Sequence, residues 1–142
     1  MTGAGGVEWW ICPQCDRQFG RRGQGHVCVP AMSADEYYAD LPAFHREVQE
    51  AVVAQLQTID DVHVELVSVG VLIKHGSTIV ELRPMRDWLA LTIVLPRRVQ
   101  HSRITRTIPM PNGGAVHGIR IRSAADIDDT IRTWLDEAML SS

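Results

Sequence analysis

All three cysteines of the chain fall between residues 12 and 28, and this cluster constrains the fold more than any other feature. The spacing is Cys12-x2-Cys15-x10-His26-x-Cys28. Cys12-Pro-Gln-Cys15 reads as a knuckle, a tight turn that aims two thiolates at one point. Gly20, Gly23 and Gly25 follow among Arg and Gln and let the chain turn back. His26 and Cys28 are two apart, so in an extended segment both side chains face the same way. Three sulfurs and an imidazole are a common zinc ligand set, and four protein ligands leave no open coordination position. The expectation is a closed, structural Zn2+ site held by Cys12, Cys15, His26 and Cys28. A redox dithiol is the competing reading. It needs a helix behind its first cysteine, and Gly20-Arg-Arg-Gly23 argues against that helix. His26 is the least secure ligand, replaceable in principle by water or by a remote histidine.

So short a module cannot bury enough apolar surface to fold unaided, and metal binding would supply the missing stability. The 142 residues leave room for one further domain, and 45% apolar with 22% charged residues is a globular composition. The division expected is a zinc-knuckle module over 1–32 and an α+β domain over 33–142. No apolar run approaches the roughly 18 residues of a membrane span. The start, MTGAGGVEWW, lacks the basic and apolar parts of a secretory signal and should fray. A cytoplasmic protein with reduced thiols and no membrane partner is the expectation.

The net charge of −3 conceals a division, because residues 63–122 carry nine bases against three acids while 33–62 carry one base against seven acids. A basic middle can face an anion such as a phosphate backbone. Equally, opposite charges can attract within the fold.

Beyond the knuckle, Ser33-Ala-Asp-Glu36 is a capping-box pattern that starts a helical turn. Phe44, Val48, Ala51, Val52 and Leu56 then fall at helical spacing, which predicts a helix over 42–57. The period next changes to two. Strands are predicted over 62–69, with Gly70 as a turn or bulge, then 71–74 and 78–82, joined by a turn at His75-Gly76-Ser77. Trp88–Leu95 is the most apolar segment and reads as a central strand. Residues 97–107 show weak order signals, Pro111–Gly114 is a turn, and Val116–Arg122 alternates as a last strand. Ser123-Ala-Ala-Asp126 starts a final helix whose buried stripe is Ile127, Ile131, Trp134, Leu135 and Ala138. Asp126, Asp128 and Asp129 suit that helix start better than a metal cluster. Connections this short exclude repeated crossover helices. The fold class is α+β: a small zinc knuckle, then a mainly antiparallel sheet of about five strands with helices packed on one face.

Arginine suits bidentate phosphate contact. Arg17, Arg21 and Arg22 on the metal loop, with Arg97, Arg98, Arg103 and Arg106 in the long connection, are therefore the candidate nucleic-acid or anion contacts. Trp9 and Trp10 could stack on a base, or simply pack. No HExxH, P-loop, GxGxxG or GxSxG motif occurs, so no catalytic residue is assigned. Lys74, His101 and His117 are the candidates for a ligand site, if they converge.

The run Trp10-x-Cys12-Pro-x-Cys15-x-Arg17-x-Phe19-x-Arg21-x-x-Gln24-x-His26-x-Cys28 resembles an uncharacterised bacterial domain-of-unknown-function family. The similarity continues through Lys74, Arg83-Pro-Met-Arg-Asp-Trp-Leu-Ala-Leu, and His117 followed by Ser123-x-x-Asp126-Ile-Asp-Asp. It implies the zinc ligands and the two-part architecture, and it supplies no reaction. The α+β part is also distantly similar to MmcQ/YjbR-like and YdhG-like domains, some described as resembling DNA-binding proteins, which is a fold-level analogy.

Together these readings favour a non-enzymatic zinc-binding protein that contacts nucleic acid through the Arg-rich loop and the basic sheet region. The alternatives are a protein–protein module, with the tryptophans exposed on one patch, and a small-molecule or anion site. A negative net charge and a pI near 6.0 weigh against the first.

Overall fold

The computed structural model describes residues 8–142; most of the glycine-rich start lies outside them. Twelve short elements follow one another: β1 (Trp10–Ile11), β2 (Gln18–Phe19), α1 (Ala34–Tyr38), α2 (Ala43–Leu56), β3 (His63–Val67), β4 (Gly70–His75), β5 (Ser77–Pro84), β6 (Leu89–Leu95), β7 (Ile104–Pro109), β8 (Ala115–Ile121), a 3-10 turn (Ala124–Asp126) and α3 (Asp129–Leu140). The protein is α+β. β1 and β2 form a small hairpin, and the other strands form one sheet in the order β3-β4-β5-β6-β8-β7, antiparallel at every pairing.

Alternation within the strands fixes the two faces. Leu89, Leu91, Ile93 and Leu95 of β6 are buried, as are Ala115, His117, Ile119 and Ile121 of β8. Together with Val80 and Leu82 of β5 and Val71 and Ile73 of β4 they make the inner face. The stripes of both long helices close over it: Val48, Val52 and Leu56 from α2, Ile131, Trp134, Leu135, Ala138 and Met139 from α3. Burying this much aliphatic surface is the main stabilising term, at roughly 1.5–3 kcal/mol per side chain before entropy. The first helix start carries the cap predicted, whereas Ser123 heads only the 3-10 turn and the last helix starts later, capped by Asp128. Ser33 forms a capping box with Glu36, and Asp128 accepts from the Ile131 amide at 3.0 Å.

The sheet has six strands where the sequence predicts about five. The extra one is β7, and it falls in the stretch that carries no periodicity. Thr105 to Pro109 are all exposed, so no buried face writes an alternation there. β7 exists through its ladder with β8, a tertiary pairing. It also lies outside β8, so the connection from β6 passes over the inner side, where Val99 meets His117. Gly70, read as a turn or bulge, is the first residue of β4. It is glycine because a Cβ there would meet the Leu82 carbonyl oxygen at 2.4 Å. The true irregularity is further along the same strand, between Ile73 and Lys74 in its pairing with β5. No helix among the described residues is long and apolar enough to cross a membrane.

Candidate metal centre and the surface around it

The β1–β2 hairpin shapes the first half of the centre. The Cys12 amide donates to the Arg17 carbonyl at 3.0 Å and the Asp16 amide to the Cys12 carbonyl at 2.8 Å. Asp16 sits at φ 59°, the left-handed conformation that Asp tolerates better than most residues. The turn therefore folds tightly and points Cys12 and Cys15 the same way. The second half returns through a turn closed by Gln24 N–H on the Arg21 carbonyl (3.1 Å), with Gly23 at φ 70°.

The sulfurs of Cys12, Cys15 and Cys28 and a ring nitrogen of His26 all lie within 4.8 Å of one another. Cys12 Sγ is 3.8 Å from Cys28 Sγ, and His26 Nε2 is 3.4 Å from Cys15 Sγ and 3.3 Å from Cys28 Sγ. Tetrahedral ligands at about 2.3 Å from a zinc ion would stand about 3.8 Å apart, so the donors fit one ion of that size. The histidine is prepared for the role. Its Nδ1 is 2.7 Å from the Gln24 carbonyl oxygen, which can only accept, so Nδ1 carries the proton and Nε2 offers its lone pair to the cluster. Phe19 stacks on the ring at 4.0 Å, and Trp10 meets it edge-on at 6.2 Å.

Electrostatics also favour a cation. Burial pushes the Cys12 thiol up, but hydrogen bonds from the Gln14 and Cys15 backbone and from the Cys15 and His26 side chains outweigh it and bring it to about 6. Cys28 moves the other way, to about 11, because burial and the neighbouring charges of Cys12 and Cys15 oppose a further thiolate. Three thiolates this close are stable together only around a positive ion.

A second cluster locks the knuckle to the sheet, and Glu65 is its hub. The carboxylate is 3.0 Å from Arg17 Nε, 2.8 Å from Lys74 Nζ, 3.1 Å from His63 Nε2 and 3.1 Å from the Gln18 amide. Glu65, Arg17 and Lys74 are 3%, 6% and 2% exposed. Burial alone would raise the Glu65 pKa, but the hydrogen bonds from His63, Lys74, Arg17 and Gln18 hold it far below the usual carboxylate range. Lys74 also donates to the Gln18 carbonyl at 2.8 Å and lies 4.0 Å from the centre of the Phe19 ring. Arg17 reaches back to the carbonyls of Val27 and Val29 at 3.2 and 3.4 Å, joining both halves of the knuckle. Pairing puts Glu65, Leu72, Lys74 and Glu81 on the face opposite the helices. The knuckle thus covers the β3–β4 half of the outer face.

The other candidate residues separate. Arg17 is buried on Glu65 and presents nothing to solvent. Arg97 makes a two-point contact with Glu137 of α3 at 2.9 Å, and Arg103 binds Asp128 at 2.9 Å. Arg21, Arg22, Arg98 and Arg106 are exposed and have no acidic partner among the described residues. Lys74, His101 and His117 do not converge. β5 and β6 stand between Lys74 on β4 and His117 on β8. His117 is fully buried and its Nε2 accepts from the Val99 amide at 2.9 Å. His101 accepts from the Arg103 amide at 3.1 Å and lies edge-on to Trp134. Trp9 packs on His63 of β3 at 5.6 Å and Trp10 on Phe19 within the knuckle at 6.0 Å, so both tryptophans serve the packing of the knuckle and its seat on the sheet. Asp126 caps the Arg122 and Ser123 amides and forms no metal cluster with Asp128 and Asp129.

Sequence reasoning missed Glu65. The available signal was an acid two residues before Val67, in phase with a buried position of the same strand.

A family model described as a domain of unknown function (DUF5655) matches residues 34–142, which begin after the last knuckle cysteine. No curated protein and no solved structure matches the chain.

Proposed function

Because the chain belongs to the family described as a domain of unknown function (DUF5655), whose description names no reaction, we propose a function from its side chains: a zinc-stabilised, non-enzymatic nucleic-acid-binding protein. Residues 1–32 act as a knuckle module clamped onto the α+β domain of 33–142. The ion is Zn2+, held by Cys12, Cys15, His26 and Cys28, since three thiolates and one imidazole suit a borderline-soft tetrahedral ion. Four protein ligands close the coordination sphere, so the ion holds shape. Three thiolates and Zn2+ sum to about −1, and the buried Arg17–Glu65–Lys74 group beneath carries the opposite excess.

One observation carries the nucleic-acid reading. Every arginine without an acidic partner among the described residues is exposed, and all of them lie on the knuckle loop or between residues 86 and 122: Arg21, Arg22, Arg86, Arg98, Arg106, Arg120 and Arg122. Most acids lie instead on the three helices or beside their ends, with Glu65 and Glu81 on the sheet. The negative net charge thus coexists with exposed arginines, free of acidic partners among the described residues, on the knuckle loop, the sheet strands and their connections. The likeness to MmcQ/YjbR-like domains adds no weight.

Two measurements test this. Metal analysis of the purified protein should give one zinc per chain, and Cys15→Ser should abolish it. Titration with random-sequence nucleic acid should give binding that weakens linearly in log affinity against log salt. Absence of binding at low salt sinks the nucleic-acid function, and metal content unchanged in Cys15→Ser sinks the site.

A further inference from the structure

The outer face of the large sheet is covered unevenly. The knuckle occupies the β3–β4 half, whereas α2 and α3 lie on the inner side. Strand register sets what the remaining half shows. One row runs Arg83, Ala90, Arg120 across β5, β6 and β8. The next runs Glu81, Thr92, Gly118, Arg106 across β5, β6, β8 and β7. The middle of both rows is small: Ala90, Thr92 and Gly118. A Cβ on Gly118 would stand 3.2 Å from Arg106 Cβ, so its absence lowers the floor beside that arginine. The margins are cationic. Arg106 and Arg120 are exposed and have no acidic partner among the described residues. Glu81 is held by Arg83 at 3.1 Å. The Arg120 guanidinium carbon stands over Trp88, 4.3 Å from the ring centre. The face thus offers a low track, two exposed planar cations without acidic partners among the described residues, and one cation–aromatic contact between exposed Arg120 and half-buried Trp88.

We propose that this half-sheet is a binding track for single-stranded nucleic acid, with phosphates at Arg106 and Arg120 and a base stacked on the Arg120–Trp88 pair. The proposal rests on the nucleic-acid reading above and gives it a face and a strandedness. A duplex is read by a helix or ribbon inserted in its major groove, whereas the floor of this half-face is made of the paired strands β5, β6, β8 and β7. A sheet with stacking planes and flanking cations suits unpaired bases. Residues Arg83, Trp88 and Arg120 were not among the sequence candidates. They join a site only through cross-strand pairing.

The test is fluorescence anisotropy with a labelled mixed-sequence DNA strand of about 12 nucleotides, and with the same sequence as a duplex, on the zinc-loaded full chain. Wild type should bind the single strand at least about tenfold tighter than the duplex. Arg106→Ala/Arg120→Ala should weaken single-strand binding about tenfold or more. It should also reduce the salt slope by about 1.4, at about 0.7 for each of the two phosphates no longer neutralised. Trp88→Leu should weaken binding and leave the slope nearly unchanged. Both variants alter exposed or half-buried positions, and unchanged circular dichroism and zinc content confirm their fold. An unaffected double variant, a preference for duplex, or weakening confined to Arg21→Ala/Arg22→Ala overturns the track while leaving nucleic-acid binding intact. Failure of wild type to bind either form overturns both.

Discussion

Glu65 is the residue on which the two parts of the molecule meet. A carboxylate buried with two cations is not strongly stabilising against an apolar replacement, but removing it alone strands Arg17 and Lys74. Glu65→Gln should therefore destabilise the protein by about 3–5 kcal/mol in a denaturant titration. The pH dependence follows from the depressed pKa. A carboxylate lowered in the folded state contributes stability that is complete above its unfolded pKa of about 4.3 and is lost as pH falls below it. The stability gap between wild type and Glu65→Gln should thus narrow below about pH 4. His117 behaves in the other chemical sense. Burial lowers its pKa, with the Ile93 and Ala115 carbonyls and Glu137 opposing and Arg97 assisting. Neutral His117 accepts from Val99 N–H, so its contribution is present above about pH 6.5 and declines as pH falls and the unfolded chain takes the proton. His117→Gln keeps an acceptor that cannot be protonated. Its stability should fall less steeply than wild type between pH 7 and pH 5, measured by thermal unfolding across that range.

At the scale of elements, the knuckle is a hairpin too short to hold itself. On one side it gathers the Cys12, Cys15, His26 and Cys28 donors that could hold an ion, and on the other it docks on the sheet through Glu65. Gly20 marks the closest approach, since a Cβ there would lie 2.5 Å from the Gly76 carbonyl carbon and oxygen in the β4–β5 turn. Backbone cannot yield as a flexible side chain does. Gly20→Ala should cost on the order of 1–3 kcal/mol and change the tryptophan fluorescence of Trp9 and Trp10, while one metal per chain is retained. Loss of metal in that variant would mean that docking and ligation are one event. α3 depends on its cap. Asp128 accepts from Ile131 N–H and also receives Arg103 at 2.9 Å. Asp128→Ala should cost about 1 kcal/mol by thermal melt, with little further cost from Arg103→Ala on that background, because the partner is already gone.

At the scale of the whole molecule, the sheet works as a partition. Its inner face takes both long helices. Its outer face takes the knuckle on one half and leaves arginines on the other. Charge is unevenly spread, with most acids on or beside the helices and the arginines without acidic partners among the described residues on the knuckle loop, the strands and their connections. Stripping the metal with a chelator should lower the thermal midpoint by several degrees and perturb the knuckle tryptophans. Far-UV circular dichroism of the six-stranded sheet should persist, since its apolar core cluster contains none of the residues between Cys12 and Cys28. Collapse of the entire spectrum would show instead that the ion is needed for the α+β domain itself.

The chain spells out its local chemistry. The ligand spacing of Cys12, Cys15, His26 and Cys28, the capping box at Ser33, the helical stripe of α2 and the alternation of β6 and β8 are all legible, because each depends on residues within a turn or a strand of one another. Tertiary structure decided the rest. Arg17 looks like Arg21 in sequence and is buried on Glu65. Arg97 and Arg103 look like Arg98 and are tied to α3. β7 carries no buried alternation and exists through its ladder with β8. Lys74, His101 and His117 share a chemical type but lie apart, and Arg106, Arg120 and Trp88 have no sequence relation yet lie on one face. Charge pairing and cross-strand neighbours depend on distances between segments far apart in the chain, and those distances exist only once the sheet has assembled.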